Sequence, residues 1–184
     1  MTELVFLLEE ESARAMLEGL LPRLLPVRIS VRYIVFEGKQ DLEGQLVRRL
    51  QGYRVPGARF VVLRDQDSAD CGSVKQRLLE MCQKSRRTNY LVRIACPEIE
   101  SWYLADLAAV ERGLALRNIA DKQGRAKYRY PDQLANAAEE LGKLTDLCYQ
   151  RVGGSRAIAP HLDLDNTRSR SFAVFVAGVR RLAE

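Results

Sequence analysis

The sequence is poor in the side chains from which zinc sites are usually built. It contains a single histidine, His161, among 184 residues, which excludes a metal site made of several imidazoles. Its four cysteines, Cys71, Cys82, Cys96 and Cys148, form no CxxC pair, which argues against a Cys/His zinc cluster. We therefore expect reduced, mostly buried cysteines and a structural histidine, and any metal site must use oxygen ligands.

The sequence also lacks a long apolar segment. The first apolar run, Leu4 to Leu8, has no basic leader and is followed at once by Glu9, Glu10 and Glu11. It is too short for a membrane span and does not have the composition of a signal peptide. We therefore expect a soluble, cytoplasmic protein with no membrane contact.

Basic charge is concentrated in the second half of the chain. The net charge is +5 and the isoelectric point is about 9.2, a balance consistent with a polyanionic partner. Residues 112–130 and 151–184 each contain six basic side chains. A solvated helix face would give the same count. Where phosphate is bound, the candidate residues are Lys39, Arg125, Lys127, Arg156, Arg168 and Arg170.

Four short apolar runs alternate with helical patterns over the first hundred residues. The predicted strands are residues 4–8, 29–36, 60–63 and 90–95, and the predicted helices between them are residues 12–25, 41–50 and 71–84. Because the strand runs are continuously apolar, they indicate a sheet that is covered on both faces. The pattern predicts an α/β fold, Rossmann-like, with a mainly parallel four-stranded sheet flanked by helices.

The remainder of the chain is expected to be helical. A helix is predicted over residues 99–116, and residues 1–116 form the expected α/β core. Residues 117–184 are expected to form a helical C-terminal cap packed on that core. Within the cap we predict a basic loop at residues 117–130 and helices at residues 131–141 and 145–151. A chain break is expected at Gly153 and Gly154, and a final amphipathic helix at residues 172–183.

Carboxylates follow three of the four predicted strands. Glu9 and Glu10 follow the first strand, Asp65 and Asp67 end the third, and Glu98 and Glu100 follow the fourth. In a parallel sheet these strand ends share one edge, where ligands bind. So many like charges repel one another unless cations compensate them. The pattern therefore predicts one or two Mg²⁺ (or Mn²⁺) ions at this edge, although acids near helix N-termini are also favoured by the helix dipole alone.

Bound metal at such an edge suits phosphodiester chemistry. The ion would polarise the phosphate and activate a water, and Lys39, in the turn after the second strand, could hold a phosphate oxygen. A lysine in a turn is more often simply solvated. Trp102 and Tyr103 directly follow the last acids and are expected to belong to the core rather than to stack on a base.

The order of these acids resembles the Toprim (topoisomerase–primase) fold. The blocks that carry the resemblance to a bacterial family of uncharacterised Toprim-like proteins are Glu9-Glu10-x-Ser12, Gly38-Lys39-x-Asp41, Asp65-Gln66-Asp67 and Glu98-x-Glu100-x-Trp102-Tyr103, with Ser169-Arg170-Ser171-Phe172 near the end. The resemblance implies that Glu9 or Glu10 serves as general acid/base or metal ligand and that Asp65 and Asp67 bind metal. A glycine often follows the first acid in Toprim domains, whereas Glu10 stands there in this chain.

Similarity to Toprim nucleases of the overcoming-lysogenisation-defect type further implies Mg²⁺-dependent cleavage of DNA or RNA. Such nucleases work with ATPases of the AAA/ABC class in phage defence, so an ATPase is an expected partner. The alternatives are a non-catalytic module that binds nucleic acid or a partner protein, and a receiver-like phospho-signalling domain. The receiver needs a hydroxyl after the fourth strand, where Ala95 and Cys96 stand. A dehalogenase-like phosphatase would place Asp-x-Asp on the first strand.

Overall fold

A four-stranded parallel sheet forms the centre of the protein, which a computed structural model describes over residues 2–184. The strands are β1 (Glu3–Leu8), β2 (Ser30–Val35), β3 (Arg59–Asp65) and β4 (Tyr90–Ala95), in the spatial order β2-β1-β3-β4. Three helices connect them, α1 (Glu11–Leu24), α2 (Lys39–Gly52) and α3 (Cys71–Lys84). The predicted α/β fold with its parallel sheet is confirmed.

Alternate residues of the central strands face two separate apolar layers. In β1, Leu4, Phe6 and Leu8 pack against α1, whereas Val5 and Leu7 pack against α2 and α3. All five side chains are fully buried. The continuous apolar run in the sequence therefore reflects burial on both faces of the sheet.

The order of the strands creates a switch point between β1 and β3. The chain moves from β1 outward to β2 through α1, then returns across β1 to β3 and continues outward to β4. Because parallel crossovers are right-handed, this reversal places α1 on one face and both α2 and α3 on the other. A crevice therefore opens beyond the carboxyl ends of β1 and β3, where ligands of such sheets bind.

Five further helices extend the layer of α1. They are α4 (Glu100–Leu104), α5 (Leu107–Gly113), α6 (Ala137–Leu144), α7 (Arg151–Ile158) and α8 (Arg170–Ala183), and short 3₁₀ turns occupy much of the segment between α5 and α6. Trp102 and Tyr103 lie in this layer and are buried, as expected, with Trp102 5.1 Å from the ring of Phe175. Within residues 2–184, the helices are too short or too polar to span a lipid bilayer.

The structure corrects four local predictions in the second half of the chain, three of which concern the bounds of helices. The helix expected over residues 99–116 is interrupted, because Asp106 accepts a hydrogen bond from the Ala109 amide and thereby starts α5. Residues 131–141 are divided into a 3₁₀ turn at 131–133 and the later helix α6. No helix covers residues 145–150, because Asp146 and Leu147 have left-handed φ angles of 51° and 62°.

The glycines at 153 and 154 do not break the chain, so that prediction was wrong. Both lie inside α7, which begins at Arg151. A Cβ at Gly154 would stand 2.3 Å from Cδ2 of Tyr149. The absence of a side chain at Gly154 therefore serves close packing within the helical layer rather than a turn.

Substitution of Gly113 tests how firmly α5 is packed on α7. A Cβ at Gly113 would lie 2.6 Å from the carbonyl oxygen of Ala157 and 2.7 Å from Cα of Ile158. Because backbone cannot yield as a flexible side chain can, we expect Gly113→Ala to lower the free energy of unfolding by about 1–3 kcal/mol. Urea denaturation followed by circular dichroism would measure this change.

Gly153→Ala is the matched control, because nothing lies within 4 Å of its missing Cβ and it is also helical. Alanine there should be neutral or stabilise the protein by up to about 1 kcal/mol through helix propensity. Equal effects of the two substitutions would contradict the described packing of α5 on α7.

Candidate metal centre

Glu9 and Asp65 meet at the switch point because β1 and β3 are neighbours. Asp65 is the last residue of β3, and its backbone amide donates a hydrogen bond to Oε2 of Glu9 at 3.3 Å. Oδ1 of Asp65 accepts a hydrogen bond from the Ile99 amide at 3.1 Å. The carboxylates that follow β1 and β3 are thus held by backbone groups at the carboxyl edge of the sheet.

Burial and like charge both disfavour ionisation of these acids. Burial raises the pKa of Asp65 well above its ordinary value, and the nearby charges of Glu100 and Glu9 raise it further. Burial also raises the pKa of Glu9, with Asp67 adding to the effect. Both acids would therefore be stabilised in their ionised form by a cation placed beside them.

Three carboxylates converge closely enough to share a metal ion. Asp65, Glu98 and Glu100 each offer an oxygen, and these oxygens lie within 4.8 Å of one another. Ligand oxygens around an octahedral Mg²⁺ are about 3–4 Å apart, so a small closure would let these three oxygens fill part of such a shell, with water at the remaining positions. Glu100 is fully buried, and its Oε2 has no hydrogen-bond partner among the described residues. A buried, unpartnered carboxylate oxygen fits a metal ligand.

Arg151 brings a positive charge to the same acids from α7. Its guanidinium contacts Glu10 at 3.2 Å, Glu98 at 3.5 Å and Glu100 at 3.9 Å. The hydroxyl of Tyr149 donates a further hydrogen bond to Oε1 of Glu100 at 2.8 Å. Arg151 thus neutralises part of the cluster and stands where it could also contact a bound phosphate.

Asp67 lies apart from this cluster and pairs with Lys39. Its φ is 58°, and its amide donates a hydrogen bond to the carbonyl oxygen of Pro97. Its Oδ2 lies 2.8 Å from Nζ of Lys39, the first residue of α2. The carboxylates that lie closest together are therefore those of Asp65, Glu98 and Glu100. The other two predicted metal ligands lie outside this group, Glu9 beside Asp65 and Asp67 beside Lys39.

The basic residues predicted for nucleic-acid contact are distributed over several surfaces. Arg125 and Arg168 line one pocket of about 350 Å³, which they share with Arg129 and Tyr128. Lys127 forms an ion pair with Glu140 instead. The others do not join this pocket: Lys39 pairs with Asp67, Arg156 is exposed on α7, and Arg170 starts α8.

Arg64 is a site residue that the sequence analysis missed. It is 7% exposed and lies 3.8 Å from Glu9, and it also pairs with Glu43 of α2. Arg77 of α3 contacts the same glutamate at 2.8 Å. A charged residue inside the apolar run of β3 was a visible signal, because a buried arginine needs carboxylate partners.

A second group of arginines was missed because residues 1–70 are slightly acidic on average, with eleven acidic and ten basic side chains. Four arginines line an open groove of about 710 Å³ between β2 and the end of α2, where the rings of Tyr33 and Tyr53 also lie. None of the four forms an ion pair within residues 2–184. They are Arg32, Arg48, Arg49 and Arg54. The acids of the same segment lie largely at the carboxyl edge, so the average over residues 1–70 concealed a basic groove.

Comparison with known proteins supports the resemblance seen in the sequence. A family model described as a domain of unknown function (DUF4276) matches residues 8–180. No curated protein matches the sequence. The solved structure of the C-terminal region of the Burkholderia pseudomallei OLD protein is similar, with a TM-score of 0.52 and 15% identity, over 98% of each chain. At this identity the similarity establishes a shared Toprim-like fold.

Replacement of Asp65 should make the metal-free protein more stable at neutral pH. Because the folded state raises the pKa of Asp65, it binds a proton more tightly than the unfolded chain does. The free energy of unfolding without metal should therefore fall as pH rises from about 4, the ordinary pKa, through the higher folded pKa. Asp65→Asn should reduce this slope and add on the order of 1 kcal/mol at pH 7.

The measurement is urea denaturation in the presence of a chelator between pH 4 and 8. Asp121→Asn serves as the control, because Asp121 is exposed in a 3₁₀ turn of the cap. A less stable Asp65→Asn protein at pH 7, or an unchanged slope, would show that Asp65 is not electrostatically strained.

Substitution of Arg151 should make the stability of the folded protein depend more strongly on bound metal, because the acidic cluster then loses its internal positive charge. Arg151→Gln leaves Glu10, Glu98 and Glu100 without their shared counter-charge, so we expect the metal-free melting temperature to fall by several degrees, about the effect of 1–2 kcal/mol. Added Mn²⁺ should then raise the melting temperature more than it does in the wild type. Arg156→Gln on the same helix is the control, since Arg156 forms no ion pair among the described residues. An equal response to Mn²⁺ in all three proteins would contradict this role.

Proposed function

The chain belongs to the DUF4276 family, and we propose that it is a divalent-metal-dependent phosphodiesterase that cleaves nucleic acid. The observation that carries the proposal is the partly buried carboxylate group of Asp65, Glu98 and Glu100 at the switch point of a Toprim-like sheet. The unpartnered oxygen of Glu100 gives that group a chemical reason to hold a cation.

The same residues divide the work of such a site between them. Asp65, Glu98 and Glu100 would hold Mg²⁺ or Mn²⁺, and Glu9, which adjoins Asp65, would be a further ligand. Asp67 lies apart from these three and would hold Lys39 at the edge of the site. When bound, the ion lowers the pKa of a water and neutralises charge on the phosphate. Glu9 is suited to accept a proton, because its raised pKa makes it a stronger base while Asp65 holds its Oε2.

Two cations at the rim of the site can contact the substrate. Lys39 lies beside Asp67, and Arg151 lies beside Glu10, so each is already held at the acidic edge by a carboxylate. A guanidinium can bind two phosphate oxygens at once, which would orient the scissile group against the acids. In this proposal both residues orient the phosphate that the metal polarises.

A nucleic-acid backbone could extend from the site over the basic surfaces. Arg125, Arg129 and Arg168 line one pocket and form no ion pair among residues 2–184, so their charge is available for phosphate. Each neutralised phosphate releases counterions, and the binding would weaken strongly with salt. The proposed substrate is DNA or RNA, since phosphate contacts alone do not separate the two.

The partner in this proposal is an ATPase of the AAA/ABC class, with phage defence as the setting. Support comes from the resemblance to overcoming-lysogenisation-defect nucleases and from the similar fold of the OLD C-terminal region. The name of that structure describes one region of a longer protein. We propose that the present chain meets its ATPase as a partner at its surface.

A non-catalytic binding module is the second candidate, and one observation favours it. Arg151 contacts three of the acids, which partly neutralises the cluster without any metal. A protein that has exchanged its metal for an arginine would keep the fold and the basic surfaces and would bind nucleic acid without cutting it.

Cleavage assays separate these two functions. Purified protein is incubated with supercoiled DNA, single-stranded DNA or RNA, in Mg²⁺, Mn²⁺ or chelator, beside Asp65→Asn and Glu9→Gln. We expect metal-dependent cleavage by the wild type and a loss of at least about 100-fold in both variants, because each removes a charge next to the reacting phosphate.

Asp121→Asn controls for the preparation, and binding of the same substrates is measured by fluorescence anisotropy. Cleavage that persists in Asp65→Asn and Glu9→Gln would refute the assignment of the site. Binding of nucleic acid without cleavage, combined with no calorimetric binding of Mn²⁺, would establish the binding module instead.

A further inference from the structure

Two cysteines from distant parts of the sequence lie side by side next to the metal centre. Cys71 is the first residue of α3, and Cys96 directly follows β4. Their sulfur atoms are 3.2 Å apart, and both thiols are free. A disulfide bond is about 2.05 Å long, so the sulfurs need to approach by only about 1 Å.

The pair can be reached from solvent. Both cysteines are partly exposed, and both line a cavity of about 320 Å³ between α3 and α8. Lys75, Arg93 and Arg170 line the same cavity. A small polar oxidant such as a peroxide can therefore enter and meet the two sulfurs together. Cys82, in contrast, is buried, and Cys148 is exposed with no second sulfur beside it among the described residues.

We propose that Cys71 and Cys96 form a reversible disulfide when a peroxide oxidises them. Peroxide transfers one oxygen atom to a thiol, which becomes a sulfenic acid, and the other oxygen leaves as water. The sulfur of the second thiol then attacks the sulfenic sulfur, the S–S bond forms, and the hydroxyl departs with the thiol proton as a second water. A dithiol reductant returns both thiols and becomes a disulfide itself. Neither step requires metal or nucleic acid.

The bond would connect the two loops that carry the site acids. The loop that leaves β3 holds Asp67 and ends at Cys71, and the segment after Cys96 begins with Pro97 and Glu98. The amide of Asp67 already donates a hydrogen bond to the carbonyl oxygen of Pro97. A disulfide beside this hydrogen bond would restrict the motion of both loops. Any effect of that restriction on catalysis rests on the proposed function, whereas formation of the disulfide does not.

Peptide mapping tests the bond directly. Reduced protein is treated with hydrogen peroxide, its remaining thiols are alkylated, and it is digested with trypsin, which separates residues 65–75 from residues 94–112. We expect a linked pair of these two peptides that has lost two hydrogen atoms and that disappears after dithiothreitol. Cys71→Ser and Cys96→Ser should abolish it, whereas the control Cys148→Ser should retain it.

Thermal unfolding gives a second measurement. Because a cross-link over this stretch restricts the unfolded chain, the oxidised protein should melt several degrees higher, roughly 5 °C, than the reduced protein. Oxidised Cys71→Ser should show no such rise. Mixed sulfinic acids without the linked peptides, cross-linking only through Cys148, or unreacted Cys71 and Cys96 would each overturn the proposal. The same mapping on Asp65→Asn separates this result from any failure of the proposed activity.

Discussion

Several carboxylates share one partly buried crevice, and this electrostatic constraint governs how the site is assembled. Burial raises the pKa of both Asp65 and Glu100, and nearby carboxylates raise it further, Glu100 and Glu9 acting on Asp65 and Glu98 acting on Glu100. Such a group is tolerated only where backbone amides, arginines or a metal supply positive potential. The end of β3 provides the amide of Asp65, the segment before α4 provides the amide of Ile99, and α7 provides Arg151.

This constraint explains why a small sheet carries so many helices on one face. The layer that begins with α1 holds α4, with its buried Glu100, and α7, with Arg151 and the neighbouring Tyr149. Gly154 allows the ring of Tyr149 to lie against α7, so that its hydroxyl reaches Glu100. The second half of the chain thus completes the acidic site as well as covering the sheet.

A second electrostatic arrangement lies on the other face. Arg64 leaves the apolar pattern of β3 and pairs with Glu9 and with Glu43, which Arg77 also contacts. Because a buried guanidinium is costly without partners, this network links α2 and α3 to the end of β1. The charge of Arg64 therefore stabilises ionised Glu9 from the face covered by α2 and α3, whereas Asp65 and Glu100 are stabilised by groups from the opposite, helical layer.

The parallel sheet, the positions of its strands and the acids that follow them could be predicted from the sequence, because hydrophobic periodicity and strand ends are local properties. The start of α7 could not be predicted, because a glycine that makes room for Tyr149, as Gly154 does, looks in the sequence like a glycine that forms a turn. Only the tertiary structure brought Arg151 to Glu10, Glu98 and Glu100, and Cys71 to Cys96. These contacts join residues that are far apart in the chain, and the energies that select them come from burial and charge in three dimensions.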